Sequence, residues 1–182
     1  MRGSVFVGTS LDGFIARADG GLDFLPTDDS ESHGFEEFLA SVDGLVMGRK
    51  TYDFVADSGE WFYGRKPVFV LTSRDLGEPP EGAIVERVSG SPEDVARLLD
   101  VRGIRDAYID GGSTVQQFLR AGLIQRLIVT RVPVLIGSGI SLFGALEDDI
   151  LLRHVATRQF KSGLVQSEYE VAGQPTGEHR GE

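Results

Sequence analysis

Short apolar segments alternate with amphipathic segments along most of this 182-residue sequence. A short continuous apolar run is typical of a strand buried in a sheet, whereas apolar residues three and four positions apart indicate a helix. Because strands that alternate with helices form parallel sheets, the pattern predicts an α/β fold whose mostly parallel sheet is covered on both faces. The predicted strands comprise residues 4–10, 43–48, 67–72, 83–88, 107–109 and 125–132.

Helical periodicity places four helices between these strands. The clearest start is Ser91-Pro-Glu-Asp, which combines an N-cap serine, a proline at the first helical position and acidic residues in the first turn. Near the C-terminus, two strand-like segments on either side of Ser162-Gly163 predict an antiparallel hairpin at the edge of the sheet. We expect one domain over residues 1–172 and a polar tail over residues 173–182. The predicted helices lie near residues 31–41, 49–56, 91–102 and 113–121.

The composition narrows the classes of function. The formal net charge of −10 argues against general nucleic-acid binding, because a negative protein repels the phosphate backbone. No apolar run approaches the roughly 20 residues that a membrane span needs, so we expect no membrane partner. The sequence contains no cysteine, which excludes disulfides and agrees with a cytoplasmic location. The three histidines are far apart in the sequence, and their spacing predicts no metal site.

The segment Ala107-Tyr-Ile-Asp-Gly-Gly-Ser-Thr-Val predicts a strand, a double-glycine turn and a helix in direct succession. Asp110, Gly111 and Gly112 interrupt the apolar strand, and Ser113 offers an N-cap oxygen to the helix that follows. A helix N-terminus presents unpaired backbone N–H groups and the positive end of the helix dipole, which favour an anion. Glycines let a phosphate approach the backbone closely, although an ordinary tight turn has the same sequence.

Basic residues follow two other predicted strand ends. In a parallel sheet, ligands gather at the carboxyl ends of the strands. Arg49 and Lys50 follow one such end directly, and Arg74 follows another. Because an acidic protein needs clustered basic residues to bind an anion, this grouping supports an anionic ligand. The three strand ends concerned are Gly48, Thr72-Ser73 and Gly111-Gly112.

Three segments in this order, Gly48-Arg-Lys-Thr-Tyr52, Leu71-Thr-Ser-Arg74 and Ile109-Asp-Gly-Gly-Ser-Thr-Val115, resemble the dinucleotide-binding segments of the dihydrofolate reductase family. The resemblance is closer to the reductase domain of the bacterial riboflavin-biosynthesis deaminase-reductase. Ser10-Leu-Asp-Gly13 and Leu135-Ile-Gly-Ser-Gly-Ile-Ser-Leu-Phe143 are typical of that branch. The resemblance implies a three-layer dihydrofolate reductase-like fold. It also implies an NADPH-dependent reductase that acts on a small pterin-like or pyrimidine-like heterocycle or a related compound.

The resemblance assigns roles to individual residues as well. It implies that Arg49 and Lys50 contact phosphate, that Thr51 caps their helix, and that Ser73 and Arg74 contact the adenosine 2′-phosphate. Guanidinium groups suit such roles because they stay charged and match phosphate geometry. The double-glycine segment would cradle the pyrophosphate, with a cis peptide bond between the two glycines, and the protein would be a homodimer. The implied cofactor-binding residues are Gly48, Arg49, Lys50, Thr51, Thr72, Ser73, Arg74, Gly111, Gly112, Ser113, Thr114 and Val115.

The first helix departs from the dihydrofolate reductase pattern. In that family an acidic residue on this helix holds the pterin ring, but Gly34 or Phe35 stands at its position here. Asp12 is the candidate catalytic residue, because it is the other acid able to face the nicotinamide pocket, although an Asp-Gly turn explains it as well. Three functions therefore stay open: reduction of a small heterocycle, reduction of 5-amino-6-(5-phosphoribosylamino)uracil, and non-catalytic binding of NADPH or another nucleotide.

Overall fold

The computed structural model describes residues 1–26 and 32–172. Strands and helices alternate through most of this part of the chain, as the sequence predicts. The elements in chain order are β1 (Arg2–Ser10), β2 (Phe14–Ala16), α1 (Phe35–Ala40), β3 (Gly44–Gly48), α2 (Arg49–Asp57), β4 (Pro67–Leu71), β5 (Ile84–Val88), α3 (Pro92–Val101), β6 (Asp106–Asp110), α4 (Gly112–Arg120), β7 (Ile124–Val132), β8 (Ile140–Ser141), β9 (Leu152–Gln159) and β10 (Val165–Val171).

Eight of these strands form one sheet in the order β5-β4-β3-β6-β1-β7-β10-β9. Neighbouring strands from β5 to β7 are parallel, whereas β10 runs antiparallel to β7 and β9 runs antiparallel to β10. The predicted parallel sheet and its antiparallel C-terminal hairpin are therefore confirmed. The other two strands, β2 and β8, pair with each other in a small separate sheet that the sequence pattern did not predict.

Two apolar cores lie on opposite faces of the large sheet. On one face, α3 and α4 bury side chains such as Leu99 and Phe118. On the other face, α1 and α2 bury Phe38, Tyr52 and Val55. Strand β3 serves both cores, because Val46 belongs to the first cluster while Leu45 and Met47 belong to the second. The three-layer arrangement is confirmed, and double-sided burial explains the continuous apolar runs in the sequence.

Helix α1 begins later than the predicted start near residue 31. Gly34 precedes it with φ of 80°, a left-handed conformation that favours glycine. Because that conformation is not helical, the helix cannot extend through Gly34. Residues 27–31 lie outside the described residues, as does the tail predicted over residues 173–182. Among the helices of the described ranges, none is long and apolar enough to cross a bilayer.

Candidate cofactor and active site

The carboxyl ends of β4, β3 and β6 lie side by side in the sheet. These strands are neighbours and parallel, and their register places Gly48 opposite Leu71 and Met47 opposite Asp110. The three segments that the sequence singles out, residues 48–51, 72–74 and 111–115, directly follow these ends. The predicted meeting of the three strand ends is therefore confirmed. The three segments lie together at one end of the parallel strands, and we call this place the candidate crevice.

The N-termini of α2 and α4 touch each other through two glycines. A Cβ added to Gly48 would lie 3.1 Å from Thr114 Oγ1, and a Cβ added to Gly111 would lie 2.3 Å from Thr51 Oγ1. Each glycine is the N-cap of its helix, and neither helix receives a hydrogen bond from an N-cap side chain. The free N–H groups of two adjacent helix N-termini therefore converge on the crevice, and this arrangement favours an anion.

Two of the predicted capping roles are wrong. Helix α4 begins at Gly112, so Ser113 lies inside its first turn and Gly111 takes the N-cap position. Helix α2 begins at Arg49, so Thr51 also lies inside the first turn of its helix and packs against Gly111. In both helices glycine replaces the expected capping side chain, which leaves more of the first-turn N–H groups available to a ligand.

The peptide bond between Gly111 and Gly112 is trans, so the expectation of a cis bond is wrong. The chain turns because Gly111 adopts φ 86° and ψ 133°. At Gly112, an added Cβ would lie 2.8 Å from Ile15 Cδ1 and 3.2 Å from the Ser141 carbonyl oxygen. Glycine at position 112 therefore lets the β2–β8 sheet pack on the start of α4, and a larger side chain there would meet protein atoms.

Among the side chains predicted to bind phosphate, Arg49 is fixed by hydrogen bonds, whereas Lys50 and Arg74 are exposed. Arg49 donates from Nε to Asp53 Oδ1 at 2.6 Å and from Nη1 to the Asp75 carbonyl oxygen at 2.5 Å. Lys50 and Arg74 are exposed, and neither forms an ion pair with a described residue. The Thr72 hydroxyl accepts a hydrogen bond from the Arg74 backbone N–H at 3.1 Å, which orders residues 72–74, with Ser73 exposed between them. These segments thus carry one oriented guanidinium and two exposed cations that pair with no carboxylate of the described ranges.

Asp110 is a candidate functional residue that sequence reasoning treated only as part of a turn. Its Oδ1 accepts a hydrogen bond from the Gly111 N–H at 2.8 Å, and the Tyr63 hydroxyl lies 3.5 Å from its Oδ2. Burial raises the pKa of the Asp110 carboxyl, while hydrogen bonds from Gly111, Tyr108 and Tyr63 act in the opposite direction. Burial also raises the pKa of both tyrosines, so their hydroxyls stay protonated. A carboxyl group able to hold a proton therefore stands beside the crevice.

The side chain of Asp110 lies on the same face of the sheet as α1. Residues two apart on a strand share a face, and Tyr108 belongs to the core beneath α1 and α2. The Phe35 ring lies 5.6 Å from the Phe6 ring and 6.4 Å from the Tyr108 ring, between centroids. Helix α1 offers no carboxylate at Gly34 or Phe35, and its two glutamates, at 36 and 37, are exposed. Aromatic side chains and the half-buried carboxyl of Asp110 therefore lie on the same face of the sheet.

Asp12 lies in the exposed turn between β1 and β2. Its Oδ2 accepts a hydrogen bond from the Gly137 N–H at 2.7 Å, and its Oδ1 accepts one from the Ile136 N–H at 3.3 Å. A hydrogen bond from Ser10, together with these backbone N–H groups, lowers the pKa of Asp12. The carboxylate therefore stays ionised at neutral pH and is already occupied by backbone donors. Both properties make Asp12 a poor proton donor.

Layer order, strand direction and the anion-favouring crevice together define a protein of the dihydrofolate reductase-like class of α/β folds. The chain belongs to the family of RibD C-terminal domains, whose family model matches residues 4–166. The match covers the three crevice segments and β1 from Ser4 onward. It also covers the segment around Gly137 that Asp12 holds.

Three further proteins are similar to this chain. A solved structure of a Shewanella sp. PV-4 protein assigned to riboflavin biosynthesis is 38% identical, with a TM-score of 0.84 over 95% of this chain and 100% of that one. The uncharacterized protein YwjB of Bacillus subtilis is 33% identical over 159 residues, which are 86% of this chain and 90% of YwjB. The dihydrofolate reductase HdrB of Haloferax volcanii is 32% identical over 126 residues, which are 66% of this chain and 62% of HdrB.

Proposed function

We propose that this protein is an NADPH-dependent reductase that transfers a hydride to a small heterocycle of the pterin or pyrimidine kind, or to a related carbonyl or imine compound. The observation that carries this proposal is the meeting of three strand ends and two uncapped helix N-termini at one end of the sheet. Arg49, Lys50 and Arg74 belong to the segments that follow two of those strand ends. In an acidic protein such a local excess of positive potential suits a polyanionic cofactor. The family of RibD C-terminal domains and the relative HdrB support the same function.

The crevice residues fit a phosphorylated dinucleotide. Ser73 and Arg74, ordered by Thr72, would hold the 2′-phosphate, because the Arg74 guanidinium can donate two parallel hydrogen bonds to a phosphate group. Arg49 and Lys50 would add charge at the start of α2. The segment from Gly111 to Val115, with Gly48 opposite, would receive the pyrophosphate on the backbone N–H groups of residues 112–114, because those of Gly111 and Val115 donate to Asp110 and to the Gly111 carbonyl. When bound, NADPH supplies the hydride, and the protein supplies position and electrostatics.

Reduction of a C=N or C=O bond consumes a proton as well as a hydride. We propose that Asp110 provides or relays this proton, because burial lets the carboxyl hold it and the carboxyl lies on the same face of the sheet as the aromatic side chains of Phe35, Phe6 and Tyr108. Tyr63 would keep the carboxyl oriented through its hydroxyl. Direct catalysis by Asp12 remains the competing hypothesis, and the lowered pKa of that side chain argues against it.

Two alternatives have specific support. Reduction of 5-amino-6-(5-phosphoribosylamino)uracil is supported by the resemblance of the sequence to the riboflavin-biosynthesis reductase domain, together with the match to the family of RibD C-terminal domains. The lack of a carboxylate at Gly34 and Phe35 supports a non-catalytic module that binds NADPH without turnover. Absorbance at 340 nm separates the three functions. Purified protein with NADPH should oxidise the cofactor only when one member of a panel of pterins, pyrimidines and quinones is added. Tight NADPH binding without turnover of any compound, the phosphoribosyl uracil included, would favour the non-catalytic module.

We also propose a homodimer and a cytoplasmic location. Strand β9, one of the two edge strands of the large sheet, is exposed along nearly its whole length and carries the exposed apolar residues Leu152 and Val155. An edge strand with free N–H and C=O groups and apolar side chains is a natural pairing surface for a second copy. The cytoplasmic proposal rests on the absence of cysteine and on the reductive chemistry.

A further inference from the structure

Asp12 joins two loops that are far apart in the sequence. Its two carboxylate oxygens accept hydrogen bonds from the backbone N–H groups of Ile136 and Gly137. Two main-chain hydrogen bonds flank this contact: Leu11 N–H donates to the Val134 carbonyl at 2.8 Å, and Leu142 N–H donates to the Gly13 carbonyl at 3.1 Å. The turn after β1 therefore holds the whole segment from residue 134 to residue 142 in place.

The held segment in turn packs against the start of α4. Ser141 pairs with Phe14 in the small β2–β8 sheet, and its carbonyl oxygen accepts a hydrogen bond from Gln116 Nε2 at 3.0 Å. The same carbonyl oxygen and Ile15 Cδ1 lie against the Cα of Gly112, where an added Cβ would have no room. The contacts thus run from Asp12 through the 134–142 segment and β8 to the first turn of α4.

We propose that Asp12 is a positioning residue for the cofactor: its carboxylate fixes the 134–142 segment, and that segment fixes the N-terminal turn of α4 that receives the pyrophosphate. This role rests on the proposed NADPH site. It requires no contact between Asp12 and the cofactor or substrate. The role concerns only the α4 side of the crevice. None of the hydrogen bonds named above links the 134–142 segment to β3 or β4, after which Arg49 and Arg74 lie.

Calorimetric titration of the full chain with NADP⁺ and with adenosine 2′-monophosphate tests this role. Loss of charge-assisted hydrogen bonds in Asp12→Ala should weaken NADP⁺ about tenfold or more. Binding of adenosine 2′-monophosphate should stay within about twofold, because its phosphate addresses only the Arg74 side. Asp12→Asn keeps one acceptor oxygen and should lose less. Asp19→Ala is the matched control. Asp19 accepts a hydrogen bond from the Gly21 N–H of its own turn and none from the 134–142 segment, so the substitution should change neither affinity.

Hydrogen exchange gives a second readout that needs no cofactor. Backbone amides of residues 112–115 and 136–137 should exchange faster in Asp12→Ala than in the wild type, and equally fast in Asp19→Ala and the wild type. Equal loss of both ligands, unchanged NADP⁺ affinity, or unchanged exchange at residues 112–115 would each overturn the positioning role. Failure of the wild type to bind NADP⁺ would overturn the proposed function instead, and the exchange rates would still decide whether Asp12 fixes α4.

Discussion

Gly111 and Thr51 are in tight contact where the N-termini of α4 and α2 meet, since a Cβ on Gly111 would lie 2.3 Å from Thr51 Oγ1. Gly111 also has a φ of 86°, a backbone angle that residues with a side chain rarely adopt. Besides the backbone penalty, Gly111→Ala should therefore lower the free energy of unfolding by about 1–3 kcal/mol, because the added methyl group would overlap the Thr51 hydroxyl. Urea denaturation measures this difference.

Gly122→Ala is the matched control for that substitution. Gly122 has φ of 67°, but an added Cβ would meet no atom within 4 Å. Gly122→Ala should lower the free energy of unfolding only by the backbone penalty of about 1–2 kcal/mol. Adding Thr51→Ala to Gly111→Ala should restore part of the lost stability by removing the hydroxyl. Equal costs for the two glycines would show that the contact between α2 and α4 is not tight.

The grouping of the crevice segments was predictable because it depends on local patterns. Continuous apolar runs predict parallel strands, and parallel strands bring their carboxyl ends to one edge. The partner of Asp110 was not predictable, because Tyr63 lies 47 residues away and reaches it only in the folded chain. The same holds for Asp12, whose partners at 136 and 137 are set by tertiary packing. The predicted caps of α2 and α4 were wrong because a glycine stands at the N-cap of each helix, where a side-chain oxygen usually marks the start.

Replacing Asp110 tests the proposed proton donor. Asp110→Asn keeps an acceptor oxygen for the Gly111 N–H but cannot supply a proton, so kcat should fall about 100- to 10,000-fold. Affinity for NADP⁺ should change little. Because the reaction needs the protonated carboxyl and burial raises its pKa, wild-type activity should fall as pH rises through that pKa. The variant should lack this dependence. Asp106→Asn, at the opposite end of β6, is the control and should retain activity.

The same substitution should stabilise the folded protein. The pKa of Asp110 is higher in the folded state than the usual 3.8. At pH values between the unfolded and the folded pKa, the folded state therefore binds more protons than the unfolded state. Stability contributed by this group is present below the unfolded pKa and is lost as pH rises through the folded pKa. Asp110→Asn should therefore raise Tm at neutral pH and not at pH 3. A lower Tm together with lost activity would point to a structural role.

The exposed edge strand provides a test of the homodimer. Light scattering at micromolar concentration should give twice the chain mass of 19.7 kDa. Replacing both Leu152 and Val155 by lysine should shift the mass to that of a monomer, because charge on an edge strand opposes pairing. Val101→Lys is the control: Val101 is 85% exposed at the end of α3, and the variant should stay dimeric. A monomeric wild type, or a dimer that survives the double substitution, would contradict pairing through β9.

Dihydrofolate should be a poor substrate, despite the similarity to HdrB. Reducing a pterin needs a fixed carboxylate that orients the ring and assists protonation, and α1 has none at Gly34 or Phe35. The missing group should reduce turnover about 100- to 10,000-fold relative to an efficient enzyme. An assay with dihydrofolate and NADPH measures this rate. Turnover on the order of 1 s⁻¹ or faster would show that another acid, Asp110 first among them, holds the ring.

Titration of the wild type and of Arg74→Ala with NADP⁺ and NAD⁺ tests the cofactor site most directly. The wild type should bind NADP⁺ at least about tenfold more tightly than NAD⁺, because a charge-assisted hydrogen bond to the 2′-phosphate contributes about 1.5–3 kcal/mol. Arg74→Ala and Arg49→Ala should weaken NADP⁺ about 10- to 100-fold and leave NAD⁺ unchanged. Arg120→Ala, at the far end of α4, should change neither. Absence of NADP⁺ binding by the wild type, or an equal loss of both dinucleotides in Arg74→Ala, would contradict an NADPH site at these strand ends.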